Sequence, residues 1–370
     1  MVTSSYYPIM GGAESVIRNL SIKLNKIGIQ TDVMTFNMNQ KWRPQWQAKE
    51  QKEDGIDIFK IPALNWFPMK HSDRITFGIN LIPGRFRNHL KKYDIIHFHG
   101  EDLTFPLFSH MVTKPKIFHS HGFSFDFYKR YFLSRFIFKN IANLYISISL
   151  RMTNEYTQLG IPRSKIRYLP NGVDTRLFRP DGEKDSNLIL FVGRVTFDKG
   201  LHVLLDSLRK VKRRVHLVII GPSSWDTAYF KDIQQRIADE NRKGLHKITY
   251  LGALEKTAVA KWLRKASIFV SPSFREAFGM TILEALSSGS AAIATDVGGV
   301  ADVIRHGQNG LLIPPNNAMQ LAESIEHLLD DEDTRNRLAQ TGRKSVLWNF
   351  SQEVIVNRLV GIYKEITRQN

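Results

Sequence analysis

Two segments combine charged side chains with glycine where an apolar run ends. In the first, Arg194 and Lys199 follow the run Leu188–Val192, and Gly200 comes next. Arginine offers a planar fork of N–H donors and lysine a mobile point charge, so together they suit two neighbouring phosphates. The alternative is a pair of ordinary surface cations. A position at the carboxyl end of a buried strand favours the phosphate interpretation.

The second segment runs from Ser271 to Leu286 and predicts a strand, a glycine loop and a helix beginning near Thr281. Free backbone N–H groups and the dipole at such a helix start hold anions, for example a diphosphate. Gly279 lets the backbone approach closely. Glu276 and Glu284 flank the loop and are expected to accept hydrogen bonds from sugar and ribose hydroxyls. Alternatively, neither contacts a ligand: Glu276 is a solvated loop residue, and Glu284 is a helix residue that suits the first turn.

Short apolar runs alternate with longer amphipathic stretches, which predicts an α/β protein with parallel, doubly wound sheets. Ala13, Val16, Ile17, Leu20, Leu24 and Ile27 form one predicted apolar helix stripe that ends at Gly28. The predicted strands are Thr31–Phe36, Asp94–His99, Lys116–Ser120, Leu144–Ser149, Leu188–Val192, Val215–Ile220, Ile248–Leu251, Ser267–Ser271 and Ala291–Thr295.

The 370-residue length predicts two domains. A polar break near 179–185 predicts a first domain over residues 1–180 and a second over 186–345, followed by a terminal helix over 346–370 that crosses back to the first. Two Rossmann-like units facing across a cleft would share one ligand site. Only Val2 and Thr3 precede the first turn, from which we expect a truncated first strand.

Residues 1–180 carry 26 basic and 13 acidic side chains, whereas residues 181–370 carry 26 and 22. The basic half is expected to attract something anionic: nucleic acid, an acidic membrane or a phosphorylated substrate. There is no cysteine, which fits a reducing compartment. We find no membrane-spanning run and no signal peptide, and we therefore expect a cytoplasmic protein.

The motifs occur together in a familiar order. The Gly193-Arg194…Lys199-Gly200 loop, the Glu276-x7-Glu284 segment, the Tyr168–Asp174 junction and the early Gly11–Glu14 resemble glycosyltransferase family 4, over nearly the whole chain. The resemblance implies a GT-B fold and a retaining, metal-independent transferase of the hexosyltransferase type. Its donor would be a nucleotide-diphosphate sugar, its acceptor a glycan or a lipid-linked molecule, and no cofactor would be needed.

The resemblance also implies roles for individual residues. Arg194 and Lys199 would hold the donor diphosphate, Glu284 the ribose and Glu276 the donor sugar. Backbone at Phe278, Gly279, Met280 and Thr281 would meet sugar and phosphate, Leu254 would lie beside the base, and Gly12 would let its loop approach the phosphates.

A histidine carries over as well. The family places a histidine before glycine at a strand end, which favours His121 as a catalytic residue facing the donor sugar. His119 lies on the same face by alternation and is the rival, while His97 and His99 end the preceding strand. The alternative for each is a satisfied core residue. Retention would come from same-face attack, with Glu276 as the candidate nucleophile of a two-step alternative.

Other functions stay open at this point. A catalytically inactive sugar-nucleotide-binding protein and a GT-B epimerase both share the donor site. A nucleic-acid binder fits the charge, but no nucleic-acid motif is present.

Two local patterns also bear on the interpretation. Asp331-Glu332-Asp333 resembles a metal-binding Asp-x-Asp but is better explained as a helix cap. The segment Gly221–Ser224 lacks the Gly-Asp-Gly-Pro that is usual at this position in the family it resembles.

Phe123–Lys139 alternates aromatic with basic residues and predicts one amphipathic helix. Such a helix suits a membrane interface or an acceptor. The alternative is a core helix whose cations reach back to solvent. The hypothesis that follows is peripheral docking on the inner, anionic face of a membrane.

Overall fold

The computed structural model describes residues 1–6, 11–38, 45, 49–62, 88–100, 112–122, 125–223 and 227–368. The chain forms two compact units, residues 1–170 with 355–370 and residues 171–354. The polar segment 179–185, where the sequence predicts the domain break, lies in the second unit. Phe123 and Ser224, which belong to two of the sequence patterns, lie outside the described residues.

The first unit is built on one sheet. Its strands are β1 Val2–Thr3, β2 Val33–Phe36, β3 Lys49–Glu53, β4 Ile56–Ile61, β5 Ile96–His99, β6 Lys116–His119, β7 Leu144–Ser147 and β8 Ile166–Tyr168. Its helices are α1 Gly12–Lys26, α2 Phe125–Arg130, α3 Phe132–Asn140 and α4 Leu150–Gln158, with a 3₁₀ turn at Arg163–Lys165.

The sheet order is β3-β4-β2-β1-β5-β6-β7-β8, so the two-residue β1 is central. Val2 pairs with Met34 on one side and with Phe98 on the other, both in parallel. All pairings in the sheet are parallel except β3 with β4, which is antiparallel through a turn at Asp54 and Gly55. The expectation of a purely parallel sheet is therefore wrong at this edge.

Helix α1 shows why its sequence folds as it does. Val16, Ile17, Leu20 and Leu24 are buried, and a fully buried aliphatic side chain contributes roughly 1.5–3 kcal/mol. Gly28 adopts a left-handed φ of 84° just after the helix. The predicted stripe is wrong at its last member, because Ile27 is 53% exposed.

The aromatic and basic segment forms two helices, α2 and α3, rather than the single helix predicted. Tyr131 stands between them with an extended backbone and is the N-cap residue of α3. Tyr128 and Phe138 are buried against the unit, as the core-helix alternative requires. Phe132 and Phe136, however, are 82% and 58% exposed. The segment therefore has both a core face and an exposed aromatic face.

The second unit repeats the α/β alternation. Its strands are β9 Asp185–Val192, β10 His216–Ile220, β11 Lys247–Tyr250, β12 Ala266–Ser271, β13 Ala291–Thr295 and β14 Leu311–Ile313. Its helices are α5 Leu201–Leu208, α6 Thr227–Lys243, α7 Lys256–Lys265, α8 Met280–Ser287, α9 Val300–Val303, α10 Ala318–Asp330 and α11 Glu332–Asn349, with a 3₁₀ turn at Phe197–Lys199. The last helix, α12 Gln352–Arg368, carries the chain back to the first unit.

The second sheet is parallel throughout, in the order β11-β10-β9-β12-β13-β14. The chain leaves β9 in one direction to β10 and β11, then crosses to β12 and continues in the other direction. The strand order thus reverses between β9 and β12. Ligands of open α/β sheets bind beyond the carboxyl ends of the strands at such a reversal.

The Asp-x-Asp pattern has a structural explanation. Asp331 is the N-cap of α11, and its Oδ1 accepts a hydrogen bond of 2.8 Å from the backbone N–H of Thr334. This bond lowers the pKa of the Asp331 carboxyl. The prediction of a helix cap is confirmed. Among the described helices none is long and apolar enough to cross a membrane.

Candidate functional site

The loops after β9 and β12 are joined by backbone contacts at the carboxyl edge of the second sheet. Asp198 accepts a 2.7 Å hydrogen bond from the N–H of Phe274. Gly200 has a left-handed φ of 68°, and a Cβ there would lie 2.0 Å from the carbonyl oxygen of Pro272. Only glycine allows this approach. The two segments in which the sequence predicts phosphate and sugar contacts therefore form one structure.

The loop after β13 is the third wall, and the sequence analysis missed it. A Cβ on Gly298, whose φ is 59°, would lie 1.6 Å from the carbonyl oxygen of Glu276. The same oxygen accepts a hydrogen bond from the N–H of Gly299. The signal was present in the sequence, since the Gly298-Gly299 pair lies just beyond the buried strand β13, after Asp296 and Val297. These contacts fix the backbone of Glu276.

Lys199 and Glu276 meet across the joined loops. Lys199 Nζ donates a hydrogen bond of 2.6 Å to Glu276 Oε2, and both side chains are less than one-fifth exposed. Partial burial makes such an ion pair stronger than a fully exposed one. A predicted phosphate ligand and a predicted sugar ligand are thus in direct contact and hold each other in place.

Arg194 leaves the same edge, directly after β9. It is exposed, and its guanidinium has no ion pair or hydrogen bond to any residue that the structure describes. Its neighbours are tightly held: the N–H of Val195 donates to Pro222, and a Cβ on Gly221 would lie 1.9 Å from the carbonyl oxygen of Gly193. The result is a free cation on a rigid backbone, which suits an anionic ligand.

The predicted anion-binding helix start is α8. It begins at Met280, and Gly279 caps it with a φ of 95° and ψ of 56°. The first N–H groups of a helix have no intrahelical partner, and Met280 and Thr281 are partly exposed. The side chain of Phe278 is buried, so only its backbone can contact a ligand.

Glu284 lies inside α8 and is 8% exposed. Burial raises the pKa of its carboxyl, and Lys256 partly offsets this effect. The Lys256 Nζ lies 3.6 Å from Glu284 Oε1 and also over the ring of Phe178, 5.6 Å from its centroid. Lys256 was missed by the sequence analysis, although it follows Leu254 by only two positions. The ion pair brings the Leu254 turn next to Glu284.

The turn after β11 is also held by hydrogen bonds, in this case to the loop after β10. The carbonyl of Gly252 accepts a 2.8 Å hydrogen bond from the N–H of Gly221, and Tyr250 donates through its hydroxyl to the carbonyl of Gly221. Leu254 is partly exposed beside them. Five successive carboxyl-end loops, those after β11, β10, β9, β12 and β13, are therefore linked in the order in which the strands lie.

The predicted residues of the first unit are Gly12 and His121. Gly12 begins α1, and none of the described residues has an atom within 4 Å of where a Cβ on Gly12 would be. Ser5, earlier in the chain, donates a hydrogen bond through its hydroxyl to Glu14 of α1. His121 is partly exposed, two residues beyond the end of β6, and its Nε2 lies 3.0 Å from His99 Nδ1. The rival His119 is 1% exposed, so His121 is the more accessible of the two.

Two family models together match residues 10–345 of the chain. "Glycosyltransferase Family 4" matches residues 10–177, and "Glycosyl transferases group 1" matches residues 174–345. The chain belongs to glycosyltransferase family 4. The residues matched by the second model include all of the site residues assigned to the second unit.

Curated relatives agree with this membership. A glycosyltransferase of Methanocaldococcus jannaschii, described as uncharacterised, is 28% identical over 99% of this chain and 98% of its own length. The O-antigen chain mannosyltransferase C of Escherichia coli is 24% identical, covering 98% and 96%. These similarities extend over the whole chain rather than over one unit.

Solved structures share the fold. HepE of Anabaena, crystallised with UDP, superposes with a TM-score of 0.79 at 17% identity over 98% of both chains. The sucrose-phosphate synthase of Thermosynechococcus elongatus gives a TM-score of 0.81 at 20% identity, covering 100% of this chain and 99% of its own. The family 4 glycosyltransferase described here thus has the GT-B fold, and the predicted fold class is confirmed.

Proposed function

We propose that this glycosyltransferase binds a nucleoside diphosphate sugar at the carboxyl edge of its second sheet. The observation that carries the proposal is the meeting of Lys199 and Glu276 at 2.6 Å, on loops that glycines hold against each other. Arg194 and the start of α8 add a free cation and free N–H groups at the same edge. HepE, which shares the fold, was crystallised with UDP and with UDP-glucose.

The chemistry of the edge fits a diphosphate between two sets of hydroxyls. Arg194, Lys199 and the N–H groups of α8 neutralise the charge that develops on a departing diphosphate. Glu276, fixed by Lys199, is placed to accept hydrogen bonds from the sugar. Glu284 is buried beside the Leu254 turn, where a ribose next to its base would lie. No metal ion is required at the diphosphate in this arrangement.

Transfer with retention is proposed to occur by attack on the same face of the sugar. The carboxylate of Glu276 is held by Lys199, and an ion-paired carboxylate is a poorer nucleophile than a free one. A contact to a sugar hydroxyl uses the same geometry without forming a covalent bond. His121 is proposed to face the donor sugar from the first unit, because it is more exposed than His119.

The donor can be tested with a thermal-shift panel of UDP-, GDP- and ADP-sugars. A ligand at a hundred times its dissociation constant stabilises the folded state by about 2.7 kcal/mol, which raises the melting temperature by about 5–10 °C. Arg194→Ala and Lys199→Ala should remove most of the shift, because each deletes a charge-assisted contact.

Lys210→Ala is the matched control, because Lys210 is an exposed lysine of the same unit at the end of α5. It should keep the full shift. If Arg194→Ala and Lys199→Ala kept the shift as well, the diphosphate assignment would be wrong. Conversion of the donor sugar without any acceptor would instead indicate an epimerase, and binding without any turnover an inactive binding protein.

For the acceptor we propose a lipid-linked or membrane-bound molecule reached by docking on an anionic leaflet from the cytoplasmic side. The support is the exposed face of α3, where Phe132, Leu133 and Phe136 project beside exposed Lys129 and Arg130 of α2. Aromatic rings bury at the headgroup boundary while neighbouring cations attract acidic lipids.

Liposome co-sedimentation tests the docking. Phe132→Ser combined with Phe136→Ser should weaken binding to acidic vesicles about tenfold or more, because two large apolar side chains no longer insert. Trp348→Ser is the control, since Trp348 is 73% exposed but lies on α11 in the second unit. Equal binding to neutral and acidic vesicles would contradict the proposal.

A further inference from the structure

Three buried histidines of the first unit converge on one point. His97 and His99 alternate along β5 and so share a face, and His99 is the register partner of His119 on β6. One ring nitrogen from each of the three lies within 4.8 Å of the others. All three residues are at most 3% exposed. The donor-binding residues of the second unit play no part in this cluster.

The nitrogens of the cluster fall into two kinds. His97 Nδ1 lies 2.7 Å from the hydroxyl of half-buried Tyr363, and His99 Nδ1 lies 3.0 Å from His121 Nε2. The Nε2 atoms of His97 and His99, and both ring nitrogens of His119, are buried without a hydrogen-bond partner among the residues that the structure describes. Buried polar atoms are rarely left unsatisfied, so this concentration indicates a missing ligand.

We propose that His97, His99 and His119 bind one transition-metal ion of the zinc type. Imidazole nitrogen is a preferred ligand of Zn²⁺, Cu²⁺ and Ni²⁺, whereas Mg²⁺ and Ca²⁺ take oxygen ligands that the cluster does not offer. Zn–N bonds of about 2.0–2.1 Å at tetrahedral angles separate the ligand nitrogens by about 3.4 Å. The histidine nitrogens, which lie up to 4.8 Å apart, would therefore draw together by up to about 1.4 Å. Small rotations of the three side chains supply that movement.

The surrounding contacts are those that metal-bound histidines usually have. Such a histidine binds the ion through one nitrogen and is oriented by a hydrogen bond at the other. Tyr363 and His121 supply that bond to His97 and His99.

The ion would affect the proposed reaction indirectly, by fixing the position of His99, which is the hydrogen-bond partner of His121. It would thereby orient the histidine proposed to face the donor sugar. Three protein ligands would leave a fourth coordination position of the ion open. This site is separate from the diphosphate contacts, so donor binding by the second unit and metal binding by the first can fail independently.

Metal binding is tested on the whole chain, without an affinity tag and after treatment with a chelator. Titration calorimetry with Zn²⁺ should show one ion bound per chain. His97→Asn and His119→Asn should each weaken binding about a hundredfold, and Tyr363→Phe about tenfold through the lost orienting bond. His216→Asn, which changes a partly buried histidine of the second unit, should leave binding unchanged.

Absence of Zn²⁺ binding by the wild-type chain would overturn the proposal, as would undiminished binding by His97→Asn and His119→Asn. If these variants fail to fold by circular dichroism, X-ray absorption at the zinc edge of the wild-type protein decides. A first shell with three histidine nitrogens is expected, and a shell made mainly of oxygen would overturn the assignment.

Discussion

The two sheets carry different chemistry at equivalent places. Each has a central strand, β1 or β9, at which the strand order reverses, and each collects functional side chains at the carboxyl ends around it. In the second unit these side chains are charged: Lys199 is paired to Glu276, and Arg194 has no ion pair with any residue in the described part of the chain. In the first unit they are buried histidines. The same topology therefore carries charged side chains at one edge, where we propose an anion site, and clustered imidazole nitrogens at the other, where we propose a metal site.

The two edges also differ in how they are held together. The loops of the second unit approach each other through backbone atoms, with glycine at each crossing, so the charged side chains stand on a rigid base. The first unit relies on side-chain contacts, in which histidine rings stack on one another, as between His97 and His99 with centroids 4.1 Å apart. Substitutions in the second unit should therefore act mainly by steric overlap at the glycine crossings. Substitutions in the first unit should act mainly by removing ring nitrogens and ring contacts.

The largest effect is expected from the glycine crossings. Gly200→Ala and Gly298→Ala should each lower the free energy of unfolding by about 3–5 kcal/mol, because the new Cβ would overlap a carbonyl oxygen at 2.0 or 1.6 Å. Gly182 has a φ of 80° but open space around it. Gly182→Ala should cost only about 1–2 kcal/mol. Urea denaturation measures all three, and equal losses would argue against interlocked loops.

The second-largest effect is expected on the rate of sugar transfer when Glu276 is replaced. Glu276→Gln should leave the affinity for the free nucleoside diphosphate within about threefold and should lower transfer by about 10²–10³-fold, because the charged acceptor facing the sugar is lost. Glu255→Gln, at an exposed position next to α7, is the control. Calorimetry and turnover with the preferred donor separate the two steps. A large loss of diphosphate binding would mean that Glu276 serves the phosphates instead.

A smaller effect is expected at Glu284. Glu284→Gln should weaken nucleotide binding about tenfold, the usual cost of losing a hydrogen bond to a charged acceptor. Because burial raises the pKa of Glu284, ionising this carboxyl is less favourable in the folded protein than in the unfolded chain, so the wild type loses stability as the pH rises through the folded pKa.

The glutamine variant should therefore be more stable than the wild type near neutral pH and equal to it below pH 4.5. Melting temperatures of both proteins across this range give the comparison. If the melting temperature of the wild type instead rose relative to that of the variant with increasing pH, the ion pair with Lys256 would outweigh the cost of burying the Glu284 carboxylate.

Much of the fold was predictable, because nine apolar runs fell on observed strands. Ala291–Thr295 agrees residue for residue with β13, and most other bounds shift by one to three residues. The hairpin of β3 and β4 was missed because Lys49–Glu53 has no apolar member to indicate a strand. The Asp54-Gly55 pair between the strands is nevertheless a strong hairpin signal. The Tyr131 break between α2 and α3 has no comparable local signal.

The candidate site was less visible than the fold. Strand-end cations, the glycine loop and the two glutamates stood out because their spacing has a direct chemical reason. Lys256 and Gly298 act through neighbours distant in sequence, Glu284 and Glu276. The Gly298-Gly299 pair is a local signal for a close backbone approach, but nothing local identifies the partner of either residue. The histidine cluster needed the register of β5 on β6, which places His99 beside His119.

The central claim is that Arg194, Lys199 and the start of α8 hold one diphosphate. A crystal structure of the chain soaked with UDP, or with whichever nucleotide raises the melting temperature most, tests it most directly. The account predicts phosphate oxygens within hydrogen-bond distance of both cations and of the backbone N–H groups at Met280 and Thr281. A nucleotide bound elsewhere, with these groups in contact with solvent only, would contradict it.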